Sequence, residues 1–233
     1  MYSLNYETRY GDFKTRDTIK PAAVMDFIQD IATRHSEDVG YGMKKLKEME
    51  IAWLMQGIKI HFDSPVKPFS TVSASTAVKN MKGVISERGT FISQEGKVVA
   101  KAVTAWFMLD TNRMRPIRIP AEIAEKYDTY EFDEFFSYKK PQLLEAEKKY
   151  SIVVRNREID TNNHLNNQKS AEILMDALPF DFDFTDMNVF YKKAAYLGDE
   201  LEVCSIQIQN GYYVHLQNNE NEIYVAGVFT RSN

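Results

Sequence analysis

Residues 58–74 read IKIHFDSPVKPFSTVSA, and residues 187–203 read MNVFYKKAAYLGDELEV; the two stretches align without a gap. Ile58, Ile60 and Phe62 share one face of an extended chain, because successive side chains of a strand point to opposite sides. A second pair follows in the same order, GKVVAKA from Gly96 and NEIYVAG from Asn221. No aligned position is identical in either pair, so what repeats is a pattern of strands and turns. Such a pattern marks one supersecondary unit used twice.

Working outward, each half places one helix before its strands. In the first half a short strand is expected around Tyr6–Tyr10. A helix starts at Pro21, where proline suits the first turn. Val24, Phe27, Ile28 and Ile31 line one face of it, and it ends before Gly40. Strands follow at Thr71–Val78, Val84–Ser93 and Val98–Leu109. In the second half a strand covers Tyr150–Val154 and a helix Asn166–Leu178, with Ala171, Leu174, Met175 and Leu178 on one face. Strands then recur at Met187–Lys192, Glu200–Gln209, Tyr212–Gln217 and Glu222–Phe229. A sheet curved around a single helix buries the apolar faces of both. The expected fold class is therefore α+β: two tandem hot-dog domains, each a curved, mostly antiparallel sheet wrapped on one long helix. The domains are expected at 1–128 and 149–233. Residues 129–148, charged and aromatic with Pro141, read as a linker crossing the surface.

The 233 residues suit one or two domains. The single cysteine, Cys204, excludes an internal disulfide and suits a reducing compartment. No apolar run approaches the roughly 18 residues of a membrane span. The first residues lack the basic-then-apolar layout of a signal peptide. These features point to a cytoplasmic protein with no membrane partner. Residues 1–128 hold 19 Lys/Arg against 16 Asp/Glu, whereas residues 129–233 hold 10 against 17. The basic excess concentrates in residues 79–118, which include Lys79, Lys82, Arg88, Arg113, Arg115 and Arg118. That stretch is either a solvated basic face or a landing surface for an acidic partner. No nucleic-acid-binding motif accompanies it.

The segment richest in chemistry is Glu158–Asn167, EIDTNNHLNN. Asp160, Asn162 and His164 stand at i, i+2 and i+4, one side of the chain if it is extended there. A helix N-terminus follows, whose unpaired N–H groups can hold a negative oxygen. Base, orienting carboxylate and anion site are the parts needed to hydrolyse an acyl group. The same residues also fit a polar turn with Asn166 or Asn167 as a helix cap. His35 falls at the end of the first helix and reads as a packed or capping residue. His61 and His215 read as surface or barrel-face residues. Cys204 lies in a strand with no patterned histidine beside it and reads as a buried thiol. No spacing suggests a metal site, and no nucleophile elbow or phosphate loop is present.

EIDTNNHLNN followed by a helix resembles the active-site segment of the acyl-ACP thioesterases of plant plastids and bacteria (ACP, acyl carrier protein), which read D-x-N-x-H-[VL]-N-N there. AWLMQGIKIHFDSPV from Ala52 resembles the family's strand after the first helix. GTFIS from Gly89 and GKVVAKAVTAWFMLDTNRMRPIRIPAEI, ending at Ile123, resemble its W-x-M block and the I-P-x-E that follows. VFYKKAAYLGDEL from Val189 resembles a later strand, so the resemblance spans nearly the whole chain.

The resemblance implies two hot-dog domains and hydrolysis of the thioester joining a fatty acyl chain to ACP, with Asp160, Asn162 and His164 catalytic. It implies an acyl tail held in the first domain, with Met25, Phe27, Ile28, Trp53 and Met55 as pocket candidates. Lys79, Lys82, Arg113 and Arg115 are the candidates for docking the carrier. No cofactor or metal is called for, and a homodimer is left open. Plant members carry Glu-Cys after the Tyr-basic-basic triplet, whereas here Tyr191-Lys192-Lys193 precedes Ala194-Ala195. A cysteine mechanism is thereby disfavoured, and Asp160 or Glu172 is left to supply the missing charge. The expected chemistry has His164 as general base, Asp160 orienting it, and the second helix's first N–H groups holding the oxyanion. An acyl-CoA thioesterase of the same fold and a non-catalytic acyl-carrier-binding module remain alternatives. A hot-dog dehydratase is disfavoured by the absence of an H-F-P-G segment.

Overall fold

A computed structural model describes residues 1–15 and 18–232. The chain divides into two compact units, residues 1–56 with 60–138, and residues 57–59 with 139–233.

The first unit runs β1 (Tyr2–Glu7), α1 (Pro21–Asp38), α2 (Met43–Glu48), β2 (Ile51–Phe62), β3 (Thr71–Lys82), β4 (Ile85–Gln94), β5 (Lys97–Asp110), β6 (Arg115–Ile117) and α3 (Ala121–Ala124). Its sheet order is β1-β3-β4-β5-β2, with β6 beside β5. The first strand lies earlier than Tyr6–Tyr10. Asp12 accepts a hydrogen bond from the Arg9 amide (2.7 Å) and pairs with the Arg9 guanidinium (3.1 Å), folding the chain into a 3-10 turn at Tyr10–Asp12. Helix α1 buries Val24, Met25, Phe27, Ile28 and Ile31. Each such side chain contributes roughly 1.5–3 kcal/mol when fully buried.

One inward position of this unit is charged. Arg88 on β4 is 5% exposed, between the buried Ser86 and Thr90. Its Nη1 lies 2.7 Å from His35 Nδ1 and 3.5 Å from Thr76 Oγ1, and its guanidinium sits 5.5 Å from the Tyr127 ring centroid. No carboxylate pairs with it among the described residues. Burial brings its pKa down to about 10. Burial, with the Arg88 charge next, takes His35 down to about 4, so the imidazole is neutral and accepts at Nδ1. His35 also stacks on Tyr2 (5.0 Å) and meets Tyr127 edge-on (5.1 Å). It is a packed residue, as its place on the helix indicated.

The second unit runs β7 (Glu147–Val153), α4 (Asn167–Asp176), β8 (Asp186–Tyr191), β9 (Glu200–Ile208), β10 (Gly211–Gln217) and β11 (Ile223–Thr230), in sheet order β8-β11-β10-β9-β7. Helix α4 has 10 residues against the 18 of α1. It stops two residues short of the expected Leu178, because Pro179 disfavours helical geometry in the residue before it. Ala171 and Leu174 are its fully buried contacts with the sheet. Glycine at position 227 on β11 gives this approach its room. A Cβ there would lie 3.0 Å from Leu174 Cδ1 and 2.9 Å from the Phe229 ring.

Residues 129–148 do not simply cross the surface. Phe132 and Phe136 pack on the outer face of β4, against Gly89 and Phe91. The Phe132 ring occupies the space a side chain at residue 89 would fill. Further along, the Lys139 carbonyl accepts from Asn188 Nδ2 (2.9 Å), and Pro141 is buried.

The buried His35 sets a pH dependence. Its folded pKa is depressed, so the unfolded chain binds the proton more readily. Its contribution is fully present above about pH 6.5 and is lost as pH falls towards 4. Urea denaturation at pH 6.5 and pH 5 is expected to show the wild type losing on the order of 1 kcal/mol more than His35→Gln, which keeps an acceptor for Arg88 but does not titrate.

Candidate active site

The Asp160–His164 segment is a closed turn, not an extended strand. The Asp160 amide donates to the His164 carbonyl (2.9 Å), and the Asn163 amide donates to the Asp160 carbonyl (3.1 Å). Asn163 takes a left-handed backbone, φ 61°. Asp160 Oδ1 accepts from the amides of both Asn162 (2.8 Å) and His164 (3.2 Å). Asp and Asn favour such local bonds and tolerate the left-handed region, so side-chain alternation does not apply here. The turn is tied at its base by an Ile159–Leu165 bridge, by the Asn166 amide donating to the Glu158 carbonyl (2.8 Å), and by the Leu165 amide donating to the Ala195 carbonyl (2.8 Å).

Asp160 and His164 are half-buried, and Asn162 is exposed at the tip. The turn gathers all three residues, but not in the expected relation. The Asp160 carboxylate orders the backbone and makes no hydrogen bond to the imidazole. The imidazole's ring contact is Tyr196, centroids 5.0 Å apart at 83°. The expected oxyanion site at the start of α4 is partly occupied, since Asn166 Oδ1 accepts from the Gln168 (2.8 Å) and Lys169 (3.3 Å) amides. Glu172 is held by Lys169 Nζ at 2.7 Å.

Cys204 is fully buried on β9, and the hairpin register sets it directly opposite His215 on β10. The two share a face, a pairing the sequence spacing did not reveal. His215 is 2% exposed, so it is not a surface residue. Burial raises the thiol and lowers the imidazole, which keeps both groups neutral and leaves no thiolate. His61 is half-buried, 3.6 Å from Asp63.

Of the pocket candidates, Met25, Phe27, Ile28 and Met55 are buried, Phe27 against Tyr6 (5.0 Å). Trp53 packs on a cluster that includes Ile51, Met108, Ile123 and Tyr127. Lys79 is not a free cation, because its ammonium donates to the Phe136 carbonyl (3.2 Å) and to Ser137 Oγ. Lys82, Arg113 and Arg115 are exposed, with Arg118 beside them in sequence. The Ile119 amide donates to the Gly83 carbonyl (2.9 Å), which brings the β3–β4 turn next to the end of β6. Exposed Met114 and Val84 lie among these charges.

The chain matches the acyl-ACP thioesterase N-terminal domain over residues 1–127 and the acyl-ACP thioesterase C-terminal domain over residues 141–228. It belongs to the acyl-ACP thioesterase family. This thioesterase is a thioester hydrolase that releases fatty acid from acyl-ACP. An acyl-ACP thioesterase from Bacteroides thetaiotaomicron shares its fold at TM-score 0.90 and 18% identity, covering 98% of this chain and 96% of the other. A 12:0-ACP thioesterase from Umbellularia californica superposes at TM-score 0.85 and 14% identity, with the same two coverages. No curated protein matches this chain by sequence. These likenesses establish the tandem hot-dog fold.

The two amides on Asp160 Oδ1 make a testable claim. Asp160→Ala leaves both without their acceptor and is expected to cost about 1 kcal/mol in urea denaturation. Asp160→Asn keeps an oxygen at that position and is expected to stay within a few tenths of wild type.

Proposed function

We propose that water attacks the thioester carbonyl of acyl-ACP in the second unit, with His164 as general base. The imidazole takes the proton from water as the C–O bond forms. The C–S bond then breaks, and the imidazolium returns the proton to the leaving thiolate of the carrier's arm. Asn162, exposed at the tip of the turn, hydrogen-bonds the water or the substrate. Asp160 acts through the backbone, fixing the turn that presents the other two. The observation that carries this reading is the turn itself. It holds an imidazole that makes no side-chain hydrogen bond among the described residues, beside an exposed amide side chain, so both ring nitrogens are available to exchange protons. The acyl tail lies in the first unit against α1, where Met25, Phe27, Ile28, Trp53 and Met55 would part to admit it. Release of the fatty acid ends chain elongation in fatty acid biosynthesis, in a reducing cytoplasm that suits the lone thiol.

His164→Ala is expected to lower kcat for acyl-ACP at least 10²-fold, the usual contribution of a general base, with the melting temperature preserved. Turnover near the wild-type rate in that variant would remove the base assignment.

The carrier docks on the exposed cations Lys82, Arg113, Arg115 and Arg118, whose charge steers an acidic partner and weakens with salt. Arg113→Glu combined with Arg115→Glu is expected to lower kcat/KM for acyl-ACP by roughly tenfold or more at low salt, while hydrolysis of a small uncharged thioester stays constant. Equal losses on both substrates would point to damage at the catalytic turn instead.

A further inference from the structure

The base proposed above lacks the usual device for holding it. A catalytic imidazole is ordinarily oriented by an acceptor on its second nitrogen. Here the nearby carboxylate of Asp160 is committed to two backbone amides, and Glu172 to Lys169. Among the described residues the imidazole makes no side-chain hydrogen bond, and its ring contact is Tyr196.

Tyr196 is 47% exposed, yet its backbone is tightly fixed. Its amide donates to Asp199 Oδ2 (2.8 Å), and the Asp199 amide donates back to the Tyr196 carbonyl (3.0 Å). The Gly198 amide donates to the Val154 carbonyl (2.9 Å), and the Val154 amide donates to the Asp199 carbonyl (3.0 Å). On the other side, the Leu165 amide donates to the Ala195 carbonyl, joining the residue before Tyr196 to the residue after His164. A half-exposed aromatic adds little to a hydrophobic core, but the backbone of this one is fixed where its ring meets the imidazole. The tyrosine hydroxyl has no hydrogen-bond partner among the described residues. An edge-on ring at this separation is a preferred aromatic geometry, and it fixes the tilt of the imidazole without occupying either nitrogen.

We infer that Tyr196 is a positioning residue of this thioesterase: its ring, not its hydroxyl, holds the His164 imidazole in the orientation that takes a proton from water. The inference rests on His164 being the base.

The test compares Tyr196→Leu, Tyr196→Phe and the same changes made together with His164→Ala, using acyl-ACP and the full chain. Tyr196→Leu is expected to lower kcat roughly three- to tenfold, the factor an aromatic pair of this geometry is worth, with KM within about twofold. Tyr196→Phe is expected to keep wild-type kcat. In proton NMR the ring-current displacement of the His164 imidazole signals should persist in Tyr196→Phe and vanish in Tyr196→Leu. In the His164→Ala background, Tyr196→Leu should change the residual rate no further. Wild-type kcat in Tyr196→Leu overturns the inference. So does a Tyr196→Phe as slow as Tyr196→Leu, or a full further loss in the double variant. Wild-type turnover by His164→Ala alone would remove the base itself, and the inference with it, and is thereby distinguished from a failure at Tyr196.

Discussion

The second unit, which carries the candidate site, is built on one close approach. Helix α4 settles on its sheet at Gly227, where Leu174 and Phe229 fill the space a side chain would need. The helix is only 10 residues long, so a lateral shift at this contact would move its first residue as well. That first residue continues directly from the turn that carries Asp160, Asn162 and His164. A methyl group at position 227 would therefore press on Leu174 and Phe229, and any shift of the helix that followed would carry to His164. Asn166 completes the arrangement by capping the helix with its own side chain, which sets the angle between turn and helix.

The polar groups of the turn are divided between structure and chemistry. Asp160 and Asn166 each bond two backbone amides and so give the segment its shape. Asn162 and His164 keep their side chains outside that network. Ala195 fits this division, since its methyl is buried and its carbonyl accepts from the Leu165 amide. The buried Cys204 and His215 belong to the sheet, and their neutral states keep them out of nucleophilic chemistry.

Much of this was legible in the sequence. The strands from Thr71 and Met187 onward follow from period-two alternation, and α1 follows from its apolar stripe and Pro21. The D-x-N-x-H segment stands out in the sequence as the candidate site, but its shape does not. Extended alternation was the expectation, whereas Asp and Asn side chains bonded the local backbone and closed a turn. Helix α2 gave no periodic signal, because Leu46 is its only buried residue. Its start is secured from outside, by Glu37 accepting from the Met43 amide. Arg88 reads as one of a run of surface cations, yet strand alternation turns it inward beside Thr90. Lys79 belongs to the same run and is spent on Phe136 and Ser137. The Cys204–His215 pairing follows from the hairpin register, which is set only once the two-residue turn at Gln209–Asn210 is placed. Tyr196 carries no motif signal at all; only the folded turn brings it to His164.

The central claim is that the imidazole presented by this turn moves the proton in the hydrolytic step. It is tested most directly by measuring two titrations on the same protein. One is the pH dependence of kcat/KM for acyl-ACP; the other is the NMR titration of the His164 imidazole in the free enzyme. The account requires the acidic limb of the kinetic profile to have its midpoint at the pH where His164 titrates, because only the neutral imidazole accepts a proton from water. A rate that stays level as pH passes through the His164 midpoint would contradict it.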